Sequence, residues 1–111
     1  MDLVIEQSKW LCGDNQNSML YRPKDGKMCC LGFLACKVGY SIDDISNQGT
    51  PSDLCEDKSM FPSTLIYEGE NTSLCNSLVK VNDNPDLKQI DRESILRELF
   101  KSIDIQVSFV S

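Results

Sequence analysis

Hydrophobic residues recur at helical spacing in several stretches of the chain. Leu3 and Trp10 lie seven positions apart and so share one face of a helix. Residues 30–38 are apolar almost all round, which is typical of a helix buried on most sides. The pattern predicts helices over residues 3–12, 30–38, 73–81 and 92–102.

Residues that start and stop helices flank several of these stretches. Gly39 can end the apolar helix in a left-handed conformation, and residues 41–44 fit a capping box that opens a further helical turn. Asp91 is a good N-cap for the last helix, and Ile90 and Ile95 are spaced as a hydrophobic staple.

Two segments carry extended-strand patterns. Residues 22–27 contain a Pro and an Asp-Gly pair, which predict a tight turn after a strand at 18–21. Residues 28–30 form either the return strand of this hairpin or the entry to the next helix. Apolar and polar residues alternate over 105–110 and predict a C-terminal strand with one buried face. We therefore expect an α+β fold in which this hairpin plus the C-terminal strand forms a small antiparallel sheet, packed with three to four helices.

The connection over residues 46–72 is rich in Gly and Pro, with a possible short strand at 61–67. We find no internal repeat and expect residues 1–111 to form a single domain. Apolar residues make up 41% of the chain and charged residues 25%, as in ordinary folded proteins. With neither a long apolar run nor a secretory leader pattern, the expected location is cytoplasmic, with no membrane partner.

The chain carries a net charge of −6, which weighs against nucleic-acid binding because phosphate contacts need clustered Lys and Arg. Charge is uneven, however, since bases concentrate near residues 22–37 and acids over 43–70. One interpretation is simple solvation of an acidic loop. The other is an anion-binding hairpin, whose ligand-binding residues would be Tyr21, Arg22, Lys24 and Lys27.

The absence of histidine excludes every mechanism that needs an imidazole. Six cysteines are present without any Cys-x-x-Cys pair, so we expect no metal site and no cofactor, and we interpret most of them as reduced core residues rather than a disulfide framework. One catalytic alternative stays open. Cys29 or Cys30 at a helix N-terminus could have a lowered thiol pKa, with Lys27 adding to the effect.

The segment 26–34, Gly-Lys-Met-Cys-Cys-Leu-Gly-Phe-Leu, resembles a family of small uncharacterised bacteriophage and prophage proteins with a Cys-Cys-Leu-Gly signature. Those proteins also carry an upstream Trp, matched by Trp10, and a Leu-x-x-Leu/Val-Asn-Asp segment, matched by residues 78–83. The resemblance extends from about residue 8 to 101 and implies a phage origin. The acidic 43–70 segment and the terminal strand depart from the pattern.

Together these features lead to two hypotheses of different class. The first is a phage accessory protein without catalysis in the host cytoplasm, an inhibitor or anti-defence protein that captures a host protein or a small anionic ligand. The second is a thiol-dependent enzyme or redox sensor that uses Cys29 or Cys30. A homo-oligomer is possible in either case, because the terminal strand could pair with another chain.

Overall fold

A computed structural model describes residues 1–13, 19–51, 60–62, 65 and 73–111. In chain order, its regular elements are strand β1 (Asp2–Glu6), a 3-10 turn (Gln7–Lys9), helices α1 (Cys30–Val38), α2 (Ile42–Ile45), α3 (Ser73–Asp83) and α4 (Gln89–Lys101), and strand β2 (Gln106–Val110). Within these residues the fold is a small α+β arrangement of four helices and two strands. None of the described helices is long and apolar enough to cross a membrane.

The sheet is parallel, and the predicted antiparallel sheet is wrong. β2 pairs with β1 in a register that places Val4 beside Ser108. The N-terminal residues thus form a strand, although their spacing predicted a helix over 3–12. Leu3 and Ile5 are buried while their neighbours are exposed, a period of two that suits a strand with one buried face. Pairing of these residues with β2 decides their structure, and the seven-residue spacing of Leu3 and Trp10 is too weak a signal to make them helical.

The predicted hairpin is present only as its turn. Arg22 and Lys27 form an isolated antiparallel bridge, but the flanking residues form no strand among the described part of the chain. Tyr21 instead bridges Ser46 in parallel, and the Leu20 N–H donates to the Gln48 carbonyl at 2.7 Å. Residues 20 and 21 therefore pair with the segment that follows α2, whereas the C-terminal strand β2 pairs with β1.

Helix α1 agrees with its prediction at both ends. It runs from Cys30 to Val38, and Gly39 ends it with φ 119°, in the left-handed region that favours glycine. The capping box at Ser41 is also confirmed. Its side chain accepts the Asp44 N–H while the Asp44 carboxylate accepts the Ser41 N–H, so both donors are satisfied.

Helix α4 begins earlier than the sequence predicted. Lys88 is its N-cap residue, so Asp91 lies in the first turn, where a carboxylate still suits the helix dipole. The predicted staple is not formed, because Ile90 is 74% exposed. Leu96 and Phe100 are fully buried and carry the helix's apolar face.

Helix α1 lies at the centre of the core and approaches its neighbours very closely. A methyl group at Gly32 would lie 1.9 Å from the carbonyl oxygen of Leu20, so only a glycine fits there. The core joins α1 to the inner face of the sheet and to α3 and α4; its largest fully buried side chains include Leu3, Ile5, Leu31, Leu34, Leu78, Leu96 and Phe100. The predicted acidic loop and the possible strand at 61–67 lie largely outside the described residues.

Candidate functional site

The predicted ligand-binding residues lie together on one turn, residues 21–27, here called the basic turn. Its backbone is closed by the Arg22 N–H donating to the Lys27 carbonyl at 2.8 Å and the Gly26 N–H donating to the Arg22 carbonyl at 2.8 Å. Gly26 has φ 71°, which explains the Asp-Gly pair in the sequence. The local sequence therefore specifies a defined turn.

Arg22 is engaged within the turn itself. Its guanidinium group donates to both carboxylate oxygens of Asp25, with Nε–Oδ1 at 3.1 Å and Nη2–Oδ2 at 2.6 Å. This hydrogen-bonded pair, with a further bond from the Lys27 N–H, lowers the pKa of Asp25 to about 2. Arg22 thus stabilises the turn, and much of its charge is neutralised before any ligand arrives.

Unlike Arg22, Lys24 and Lys27 form no ion pair with any residue that the structure describes. Lys24 is exposed and Lys27 is half-buried. The Tyr21 hydroxyl lies beside Gly26, 3.5 Å from where a methyl group on that glycine would be. The turn therefore groups two available ammonium donors with one phenol, a set that can bind a small anion.

A second polar cluster lies inside the protein, around Asn82. Its side-chain oxygen accepts hydrogen bonds from the Trp10 indole N–H at 2.8 Å and from the Cys30 N–H at 3.0 Å. Its amide nitrogen donates to the Leu11 carbonyl at 2.8 Å. Asn82 is completely buried, so these contacts join the N-terminal segment, α1 and α3 in the interior.

Arg92 provides a neighbouring link between α3 and α4. Its side chain is 5% exposed and donates to the carbonyls of Val81 at 3.3 Å and Asn84 at 2.5 Å. It also donates to Leu87 O at 3.3 Å and Gln89 Oε1 at 2.6 Å. These bonds satisfy the Val81 carbonyl in the last turn of α3 and the carbonyls of Asn84 and Leu87, which follow the helix. They also place a cation at the negative pole of α3.

The predicted position of Cys29 and Cys30 at a helix N-terminus is correct, since Cys29 is the N-cap residue of α1 and Cys30 its first residue. Both side chains are buried in the core. Burial raises the pKa of the Cys30 thiol well above its ordinary value, and the neighbouring Cys29 and Asp83 act in the same direction. That direction is opposite to the one that an activated thiolate requires.

The other described cysteines fit the reduced interpretation. Among the described residues, Cys12, Cys29, Cys30, Cys36 and Cys75 form no disulfide bond. Cys36 lies at the surface, with its sulfur 3.8 Å from the Met28 sulfur, and partial burial of this thiol raises its pKa. Within the described part of the chain, no group of three or more Cys, Asp or Glu side chains is arranged to hold a metal ion.

The signature residues of the phage resemblance meet at the Asn82 cluster. Trp10, Cys30 and Asn82 are far apart in sequence but bonded in space, and Gly32 is required by the close approach of α1 to Leu20. Sequence reasoning found these residues as a motif but did not identify Asn82 as the hydrogen-bonding centre, and it missed Arg92 altogether. An Arg among the many charged residues of α4 gives no local signal that its side chain is buried.

The signature residues are thus structural, and the basic turn is the surface where the predicted ligand contacts gather. No protein-family model, curated protein or solved structure matches this chain.

Proposed function

We propose that this chain is a bacteriophage accessory protein that acts in the host cytoplasm by binding, without catalysis, as an inhibitor or anti-defence protein. Its target would be a host protein or a small anionic ligand, recognised through the basic turn. The resemblance at residues 26–34 supports the phage origin. The observation that carries the binding role is the pair of available ammonium groups, Lys24 and Lys27, on a turn fixed by its own hydrogen bonds.

Preorganisation is the physical reason that this surface suits binding. The Arg22–Asp25 pair and the Gly26 conformation hold the turn in place before a partner arrives, so less conformational entropy is lost on association. The two lysine side chains still lose conformational entropy when they become ordered against a ligand. A carboxylate or phosphate group that contacts both at once would offset it through charge-assisted hydrogen bonds.

The net charge of −6 restricts which anions can bind. A highly charged polyanion is repelled by the rest of the surface, whereas a single carboxylate or phosphate feels mainly the two nearby lysines. This favours a small anion, or one acidic side chain displayed by a host protein, over nucleic acid.

Charge reversal at both lysines tests the proposal. The Lys24→Glu/Lys27→Glu variant and a control, Lys80→Glu/Lys101→Glu, change the net charge equally, and Lys80 and Lys101 are exposed on α3 and α4. Each protein is immobilised under reducing conditions and exposed to bacterial lysate, and retained species are identified by native mass spectrometry. We expect the wild type and the control to retain the same partner and the turn variant to lose it.

Two results would contradict the proposal. One is a partner retained equally by all three proteins, which would place the binding surface elsewhere. The other is loss of the partner from the control as well, which would mean that net charge, and not the basic turn, governs the interaction. Circular dichroism of both variants separates loss of binding from loss of fold.

A further inference from the structure

On one edge of strand β2, the backbone groups bond to no residue that the structure describes. The Gln106 N–H donates to the Met1 carbonyl at 2.8 Å, and in a parallel ladder alternate residues face the neighbouring strand. Gln106, Ser108 and Val110 therefore direct their backbone groups toward β1. Those of Val107 and Phe109 point to the opposite edge, where no described residue bonds to them.

The sheet is also small for an arrangement of this type. Parallel sheets are normally covered on both faces, and stable sheets generally have three or more strands. Here the described sheet has two strands, and its outer face is exposed, including Val4 on β1 and Val110 on β2. Additional strands would complete it.

The two open edges differ in charge. On β1 the outward residues include Asp2 and Glu6, and a copy paired about Val4 would place these carboxylates opposite each other. Like charges directly across a strand pair are destabilising, and charge on an edge strand opposes such pairing. β2 reads Gln-Val-Ser-Phe-Val, with no charge and no proline, and is rich in residues that favour strands.

We propose that two copies of this chain associate through the open edges of β2, which pair antiparallel across a two-fold axis at Ser108. The result is one continuous sheet in the order β1–β2–β2–β1. At the centre, Ser108 of each copy faces the same residue as a non-hydrogen-bonded pair. On either side, Val107 of one copy and Phe109 of the other exchange N–H and C=O bonds, which satisfies the unpaired groups.

A second copy is the occupant that β2 fits best. The strand is self-complementary in this register, as an isologous interface requires. On the inner face Phe109 is half-buried, with its ring centroid 5.1 Å from that of Trp10, and it would gain Val107 of the other copy as a cross-strand neighbour. β2 offers no charge that would select an acidic or basic peptide instead.

Analytical ultracentrifugation of the full chain across a concentration series tests the proposal, with two matched variants. Ser108→Lys places two ammonium groups together at the axis, and we expect it to weaken dimerisation by about tenfold or more. Val4→Lys changes the residue beside Ser108 in the register, on the same exposed face but on β1, and should leave the dimer intact. A wild type that stays monomeric at millimolar concentration overturns the proposal.

The two variants also show whether the dimer forms through the edge of β1 or the edge of β2. Dissociation by Val4→Lys with retention of the dimer by Ser108→Lys would assign the interface to β1 and refute the β2 assignment. Amide hydrogen exchange of the wild type gives an independent measurement. We expect the Val107 and Phe109 amides to become protected as concentration rises, whereas protection that does not change with concentration, or exchange that stays fast in the dimer, would contradict pairing through β2.

Discussion

The side-chain oxygen of Asn82 accepts hydrogen bonds from both Trp10 Nε1 and the backbone N–H of Cys30, at 2.8 and 3.0 Å. One buried atom thereby joins the segment after β1 to the first residue of α1, while the amide nitrogen joins Leu11. Each of these partners is shielded from water by the core, so each depends on Asn82 for its hydrogen bond.

Replacing Asn82 with Ala should therefore be strongly destabilising. The change leaves the Trp10 indole, the Cys30 N–H and the Leu11 carbonyl without a partner, and each unsatisfied buried group costs about 1–3 kcal/mol. We expect the free energy of unfolding to fall by about 3 kcal/mol or more, measured by urea denaturation. Ser94→Ala, a truncation at an exposed position of α4, should shift it by less than about 0.5 kcal/mol. Equal effects would mean that the cluster does not stabilise the fold.

Gly32→Ala tests the close approach of α1 to Leu20. A β-carbon at this position would lie 1.9 Å from a backbone oxygen, so α1 would have to move away from its neighbours, at a cost of about 3 kcal/mol or more. Gly26→Ala provides a comparison, because its β-carbon has space but its φ of 71° is strained, which costs about 1–2 kcal/mol. Thermal melts that rank Gly26→Ala as the more damaging change would contradict the close approach of α1 to Leu20.

The difference between these two glycines shows what the sequence can and cannot predict. Gly26 follows Asp25 in a local turn pattern, so its role was readable from two adjacent residues. Gly32 interrupts an apolar helix, and its role depends on Leu20, which reaches it only in the folded chain. Local chemistry likewise predicted Gly39, the Ser41 capping box and the terminal strand.

Long-range relationships account for what the sequence did not predict. β1 and β2 occupy opposite ends of the chain, and nothing local indicates that they pair or that they are parallel. The ligand-binding prediction grouped Arg22 with Lys24 and Lys27 because all three are basic. The structure separates them by committing Arg22 to Asp25, a contact three residues away that residue type alone does not specify.

Arg92 should tolerate no replacement, including lysine. Its guanidinium group reaches three carbonyl oxygens and the Gln89 side chain, whereas a lysine ammonium is a single point that cannot span them. We expect Arg92→Lys to lower the free energy of unfolding by about 2–3 kcal/mol. Arg97→Lys, on the exposed side of the same helix, should change it by less than about 0.5 kcal/mol in the same denaturation experiment. If Arg92→Lys changed the free energy of unfolding only slightly, a positive charge at this position would be enough to stabilise the fold without the guanidinium hydrogen bonds.

The cysteines should differ sharply in alkylation. Cys29 and Cys30 are buried, and the raised pKa of Cys30 keeps its thiol protonated at neutral pH. With iodoacetamide at pH 7.5 and peptide mapping by mass spectrometry, we expect Cys36 to be modified well before either of them, and both to react only after denaturation. Faster reaction of Cys29 or Cys30 in the folded protein than in a free peptide would restore the thiol-enzyme hypothesis.

The Asp25 carboxylate should titrate at unusually low pH. Hydrogen bonds from Arg22 and from the Lys27 N–H lower its pKa to about 2, from an ordinary value of 3.8. Because the folded-state pKa is the lower one, the contribution of this pair to turn stability is fully present above about pH 4. It is lost as the pH falls through the folded-state pKa, near 2. Carboxyl-carbon NMR should show this midpoint, accompanied by movement of the Lys27 amide signal.

Two variants show whether the low pKa of Asp25 comes from its hydrogen bonds with Arg22 or from the general positive charge of the turn. Arg22→Gln removes the donor to both Asp25 oxygens and should return the midpoint toward 3.8. Lys24→Gln removes an equal charge from the same turn but no hydrogen bond to Asp25, so the midpoint should stay near 2. If both variants raised it equally, the low pKa would come from the summed charge of the turn.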